Sequence, residues 1–299
     1  MRKEINTLRL TARLALVLPF VALLCAPSPG FAAPLLGTAG DFAILAGTEV
    51  VNVGSTTISG SGNVGVSPGT SIDPGGGFTF GTGTTHAADG VAGQARTDAF
   101  TGVAPISAYN FLAGMTPFVD MTGQTLGTGG TTPSLTPGVY RFPSSADLTG
   151  ALTLNNGGVN NSVFVFQIGS TLTTAASSSV LLTGAGTGVG VFWDVGTSAT
   201  LGAGTAFEGN ILALVAITLG TGATIECGSA LARDSFVHGN TNTIDVGCGG
   251  GFRSVGDTFE LIGPGGNGDG GHVPEPSTLL LLGSGLVGLA GVAWRRHRK

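Results

Sequence analysis

Glu208 and Glu226 stand one sequence repeat apart. Two carboxylates held close together, one protonated and one ionised, are the minimum for hydrolysing a glycosidic bond. The alternative is that both are solvated corner residues, and the rest of the inventory favours that reading. Asp73, Asp120, Asp147 and Asp194 are scattered singly, and lysine occurs only at Lys3 and Lys299. His86 and His238 have no Ser, Cys or metal-ligand partner at a workable spacing. The serines lie in Gly/Thr strings without a nucleophile elbow. The sequence therefore predicts no enzyme, no metal and no cofactor.

Two cysteines, Cys227 and Cys248, remain once Cys25 near the N-terminus is set aside. In an exported chain such a pair reads as a disulfide. Closing that loop contributes about 3 kcal/mol by loop-entropy reasoning. Zinc would need further ligands, and no histidine is suitably spaced.

Both ends of the chain indicate export. Arg2, Lys3, Arg9 and Arg13 precede an apolar run from Leu14 to Leu24, and small residues around Ala32 suit cleavage there. Residues 1–32 thus read as a signal peptide; a lipoprotein reading of Cys25 is disfavoured by the bulky Leu24 before it. At the other end, Pro274-Glu275-Pro276 leads into an apolar segment, 279–294, and a basic terminus, Arg295 to Lys299. That segment falls short of the roughly 20 residues of a full crossing, and the basic end would keep the C-terminus cytoplasmic. The layout of 273–299 resembles the PEP-CTERM sorting signal of Gram-negative bacteria. The resemblance implies exosortase processing at or near the Pro-Glu-Pro, transient inner-membrane anchoring, and a product that is secreted or held at the cell surface.

The body between these signals contains 33–250 and a Gly-rich linker, 251–272. Its basic residues are Arg96, Arg141, Arg233 and Arg253, and the whole chain carries a formal charge of −5. A nucleic-acid role has no electrostatic basis. Glycine makes up 54 of 299 residues, over twice the usual share of about 7%. Few charges and many β-branched residues argue against disorder.

Short alternating segments open the body: Phe42 to Leu45, Glu49 to Val53, and Thr57-Ile58. From His86 the texture becomes helical, with Ala87, Val91, Ala95, Ala99 and Val103 at every fourth place. This helical segment, about 86–115, is interrupted near Gly102 and Pro105. Strand texture then returns as a repeat. Ser179-Val180, Ala206-Phe207, Thr224-Ile225 and Thr243-Ile244 form one column. Thr171-Leu172, Thr200-Leu201 and Thr218-Leu219 form a second, and Gly209 to Ala213 with Cys227 to Ala232 a third. Each pairs a small or hydroxylated residue with an apolar one, so one points out and the next in. Columns of this kind, with glycines at the bends, are what stacked coils of a β-solenoid require.

The blocks Leu36 to Gly47, Gly65 to Gly69, Thr136 to Tyr140, Val163 to Gly169, Val191 to Gly196 and Ile211 to Thr224 resemble the DUF3494 ice-binding family, in family order. The resemblance implies a mainly β fold: an irregular, discontinuous triangular β-solenoid with a long α-helix packed alongside, coils from both ends of the chain interleaving. It also implies an ice surface as the partner. Thr221-Gly222-Ala223-Thr224 matches the family's Thr-Ala/Gly-x-Thr/Asn pattern, and Thr197-Ser198-Ala199-Thr200 nearly does. Thr171, Thr205, Thr218 and Thr243 are supporting candidates. Threonine suits ice because its hydroxyl hydrogen-bonds, its methyl excludes disordered water, and its stiff χ1 leaves little entropy to lose. The alternative is a non-catalytic structural or adhesive protein of a cell-surface or exopolysaccharide biofilm matrix. In either role the chain reads as a single copy.

Overall fold

A computed structural model describes residues 36–102, 118–160, 162–186 and 188–246, with the backbone of 251–255 and 258–262. Strands of three to six residues dominate, because the sequence alternates aliphatic and small polar residues and bends at glycines. They assemble into three parallel sheets, which the chain visits in turn, so each circuit is one coil of a β-solenoid. The expected solenoid is thus present.

The first sheet contains Phe42–Ala46, Asn63–Val66, Gly138–Phe142, Val163–Ile168, Gly190–Val195, Asn210–Ala213 and Ala230–Ala232. The second includes Glu49–Asn52, Leu172–Thr174, Ala199–Leu201, Ile217–Leu219 and Val237–Gly239. The third includes Thr56–Ser59, Phe78–Phe80, Ala151–Asn155, Ser179–Thr183, Ala206–Glu208, Thr224–Glu226 and Thr243–Asp245. Stacking does not follow chain order. In each sheet the strand of the coil that starts at Phe42 lies beside the strand of the coil that ends at Asp245. An antiparallel pair, Gly251–Val255 with Thr258–Ile262, follows, where the sequence suggests only a linker.

The core fills the prism. Ile44, Ile211 and Val195 of the first sheet meet Leu172, Ile217 and Val237 of the second and Ile58, Ile225 and Ile244 of the third. An aromatic stack crosses it, with Phe166 and Trp193 3.7 Å apart at an interplanar angle of 6°. Tyr140 and Phe207 extend the stack on either side. The Trp193 indole N–H donates to the Glu208 carbonyl at 3.0 Å, which satisfies its one polar group in the interior.

The helix, α1, spans Gly90–Thr97 and passes into a π-helical turn, Asp98–Gly102. It starts four residues later than the sequence suggests, for a capping reason. Asp89 is extended and its carboxylate accepts the Ala92 N–H at 2.9 Å, which fixes the N-terminus there. His86 accordingly lies in the strand Thr85–Ala87, its Nδ1 2.8 Å from Asp89 and its ring against Phe42. The small-residue stripe is real but shifted. Ala92, Ala95 and Ala99 are buried against Leu45, Leu212 and Leu231 of the first sheet, whereas Val91 is about half exposed. Alanine on that face lets the helix lie close to the sheet. The rest of the expected helix, 103–115, lies outside the described residues, as do the signal peptide and the apolar segment 279–294. Among the described residues no helix is long and apolar enough to cross a membrane.

Candidate functional site

α1 occupies the outer side of the first sheet, so surface chemistry falls to the other two. Their outward residues can be read off strand register. On the second sheet the row runs Asp147, Thr173, Thr200, Thr218, His238, Val51 and Asp73. It begins and ends on carboxylates. His238 carries Phe236 stacked at 3.9 Å and approaches Glu49 at 3.4 Å, so this end of the face is bulky and charged.

The third sheet differs. Its row is Ala151, Ser179, Ala206, Thr224, Thr243, Thr57 and Thr79, one residue from each of seven neighbouring strands in register. No charged residue interrupts it from end to end. Four threonines stand consecutively, separated by the strand spacing of about 4.7–4.9 Å. Thr57, Thr79 and Thr243 are exposed, and Thr224 is partly so.

The turn before Thr224 explains how the row is held at its edge. Gly222 has φ +70°, a left-handed conformation that costs glycine nothing and a side-chain-bearing residue about 1–2 kcal/mol. Gly220 lies so close to the neighbouring coil that a Cβ there would meet the Ala203 nitrogen at 2.6 Å. These two glycines let Thr221 sit on the exposed corner, where its Oγ1 accepts from Asn240 Nδ2 at 3.0 Å.

The eight threonines suggested by the sequence therefore separate. Thr224 and Thr243 share the third-sheet row, with Thr221 at its corner. Thr200 and Thr218 face outward from the second sheet. Thr171 lies half-buried at the entry to that sheet and donates to Ser145 Oγ at 2.8 Å. Its column was misaligned by two: Thr173, not Thr171, pairs with Thr200. Thr205 is no surface residue. It is fully buried, its Oγ1 2.8 Å from that of Thr174 and 3.3 Å from the Ala175 carbonyl. The Thr197 hydroxyl oxygen is also buried, with no hydrogen-bond partner among the described residues. Thr57 and Thr79 belong to the row but were missed. The Thr57-Ile58 pair has the same signature as Thr224-Ile225 and Thr243-Ile244, and that was the available signal.

Glu208 and Glu226 do meet across adjacent strands, with Asp245 next in register. Glu208 is not the solvated corner residue expected: it is 7% exposed. Burial, reinforced by the neighbouring Glu226 charge, pushes its carboxyl up to about 7. That asymmetry resembles an acid–base pair. A small cavity whose lining includes Ile44, Phe78 and Leu219 together with Asn52, Thr56 and Asn242 contains neither carboxylate. No group of three or more His, Cys, Asp or Glu among the described residues is arranged to hold a metal. Cys227 directly follows the strand Thr224–Glu226, but Cys248 lies outside the described residues, as do Pro274, Glu275 and Pro276.

The model of a family described as ice-binding-like matches residues 44–245, and that of the PEP-CTERM protein-sorting motif matches 272–299. The chain is 44% identical to an ice-binding protein of Nostoc sp. over 297 residues, covering 98% of this chain and 99% of that one. It is 33% identical to ice-binding protein K3-B1 of Typhula ishikariensis, over 61% of this chain and 78% of the other. Among solved structures, an ice-binding protein of the Antarctic ascomycete Antarctomyces psychrotrophicus superposes with a TM-score of 0.60 at 39% identity, covering 72% of this chain and 98% of that one. One from an Antarctic biological consortium gives 0.60 at 37%, covering 73% and 94%. With two thirds of its length under the family model and a near full-length relative, this chain belongs to the ice-binding-like family and ends in a PEP-CTERM sorting motif.

Proposed function

We propose that the exported chain is an ice-binding, antifreeze-type protein that adsorbs through the outer face of its third sheet. The observation that carries this is the uncharged row from Ala151 to Thr79. Ice presents a repeating lattice of donors and acceptors and no charge to pair with. A fitting protein surface is rigid, flat and neutral, with hydroxyls at a fixed repeat. The row from Ala151 to Thr79 is neutral along its length, and the acids of this sheet, Glu208, Glu226 and Asp245, form a separate row two residues further along three adjacent strands. α1 packs on the first sheet, and the row of the second begins and ends on carboxylates. Adsorption needs no catalysis, and we read Glu208 and Glu226 as non-catalytic. The purified protein should slow ice recrystallisation at micromolar concentration; growth indistinguishable from buffer would remove this reading.

Export rests on the sorting motif, with exosortase as the processing partner. The Cys227–Cys248 disulfide belongs to the same proposal, since it needs an oxidising compartment. We place the adsorbing unit at about 33–250 and read it as a single copy. The PEP-CTERM motif also favours a second reading, a non-catalytic matrix or adhesive protein at the cell surface. Binding of the protein to exopolysaccharide without any effect on ice would select it.

A further inference from the structure

Directly behind the third-sheet row runs a second column, formed by the residues that precede its five central members, Ser179 to Thr57: Ser178, Thr205, Ala223, Asn242 and Thr56. All five are buried. The polar ones tie the corner turns of successive coils to one another. Ser178 Oγ donates to the Leu148 carbonyl at 3.2 Å, and Thr205 Oγ1 to the Ala175 carbonyl. Asn242 does most. Its Nδ2 donates to the Gly220 carbonyl at 2.9 Å and the Ala223 carbonyl at 3.0 Å, while its Oδ1 accepts the Asn240 N–H at 2.6 Å. Its own N–H donates to Thr56 Oγ1 at 3.1 Å. Thr56 in turn donates to Asn52 Oδ1 at 2.8 Å, and Asn52 Nδ2 reaches the Pro74 and Gly77 carbonyls, each at 3.0 Å.

We infer that Asn242 is a positioning residue for the adsorbing row: it locks the turn that carries Thr221 and Thr224 to the strand that carries Thr243, and passes that lock to Thr57 through Thr56. The chemistry supports the role. Both amide hydrogens and the carbonyl oxygen of Asn242 are used, so the side chain has one orientation in the interior. Buried hydrogen bonds of this kind specify geometry strongly, because leaving their partners unmade is costly. The backbone bond from Thr243 N–H to the Ala223 carbonyl is long, at 3.4 Å, so the side chain makes the shorter tie at this point. On its other side the strand that carries Thr243 meets the opening coil at Thr57, and there Asn242 contributes its backbone N–H, to Thr56 Oγ1.

The lock rests on the proposed ice face for its biological meaning, but not for its test. Asn242→Leu keeps the branching at Cγ and removes every side-chain bond, leaving the backbone bond to Thr56 in place. Asn242→Thr restores one donor of the kind Thr205 uses. Leu212→Ala, beneath α1, is a destabilised control far from the row. Methyl order parameters at Thr224 and Thr243, read without ice at a temperature where each variant is folded, are expected to fall in Asn242→Leu. They should recover partly in Asn242→Thr and stay at the parent value in Leu212→Ala. Saturating thermal hysteresis is expected to fall about threefold in Asn242→Leu, through lost preorganisation. Parent-level order in a folded Asn242→Leu protein, or an equal fall in the control, would overturn the assignment. If Asn242→Leu does not fold, Asn242→Thr decides by the same criterion. Absence of ice activity in the parent protein would count against the proposed function and leave the order-parameter result to stand or fall alone.

Discussion

Thr243 lies beside Thr57 across a parallel strand pair, so the two ends of the described body contribute neighbouring hydroxyls to one face. Neither residue reveals this by its sequence neighbourhood. The row they share exists only because the opening coils stack on the coil that ends at Asp245, and the surface depends on that closure.

Glu208 makes stability depend on pH in a direction opposite to that of an ordinary paired carboxylate. Its folded value, about 7, lies above the ordinary 4.5. Between those limits the folded state holds a proton that the unfolded state has lost. Stability is therefore fully present below about 4.5 and falls as pH rises through 7. The expected loss is on the order of 1–3 kcal/mol. Thermal melts from pH 4.5 to 7.5 should show a declining midpoint, flattened in Glu208→Gln. An unchanged slope in that variant would assign the pH dependence elsewhere.

Close contact between α1 and the first sheet leaves no room at Ala95, which is fully buried. Ala95→Leu should cost about 1–3 kcal/mol through overpacking. Because the helix lies on a different face, ice activity at low temperature should survive while the melting midpoint drops. Loss of ice activity in the folded variant would mean that the helix side takes part in adsorption.

Reduction should also destabilise the protein. If Cys227 and Cys248 are joined, dithiothreitol under native conditions lowers the midpoint, with a loss of stability of roughly 3 kcal/mol in loop-entropy terms. A thiol count before and after reduction checks the premise. Two titratable thiols in the untreated exported protein would contradict it.

Much of this architecture was legible because a solenoid repeats its constraints. Ser179, Ala206, Thr224 and Thr243 aligned correctly, since each precedes an aliphatic or aromatic core residue at matching places in its coil. Thr171 aligned wrongly because corner lengths vary between coils, and a two-residue slip preserves which side faces out. Thr205 looked like a surface threonine, but it sits one residue before the row, where the side chain turns inward. Thr57 escaped because its neighbour is set by long-range stacking. Glu208 looked solvated because carboxylates usually are; its burial comes from packing that no local pattern encodes. The helix start moved because the Asp89 cap outweighs a four-residue periodicity.

The most direct measurement compares ice partitioning of two folded double variants with the parent protein. A tyrosine ring at Thr57 and Thr243 would lift the third sheet off a flat lattice over several strands. The same change at Thr200 and Thr218 would disturb only the second sheet. Thr57→Tyr/Thr243→Tyr is expected to remain in the liquid fraction, while Thr200→Tyr/Thr218→Tyr partitions into ice like the parent. The reverse pattern would place the contact on the second sheet and contradict the assignment made from the uncharged row.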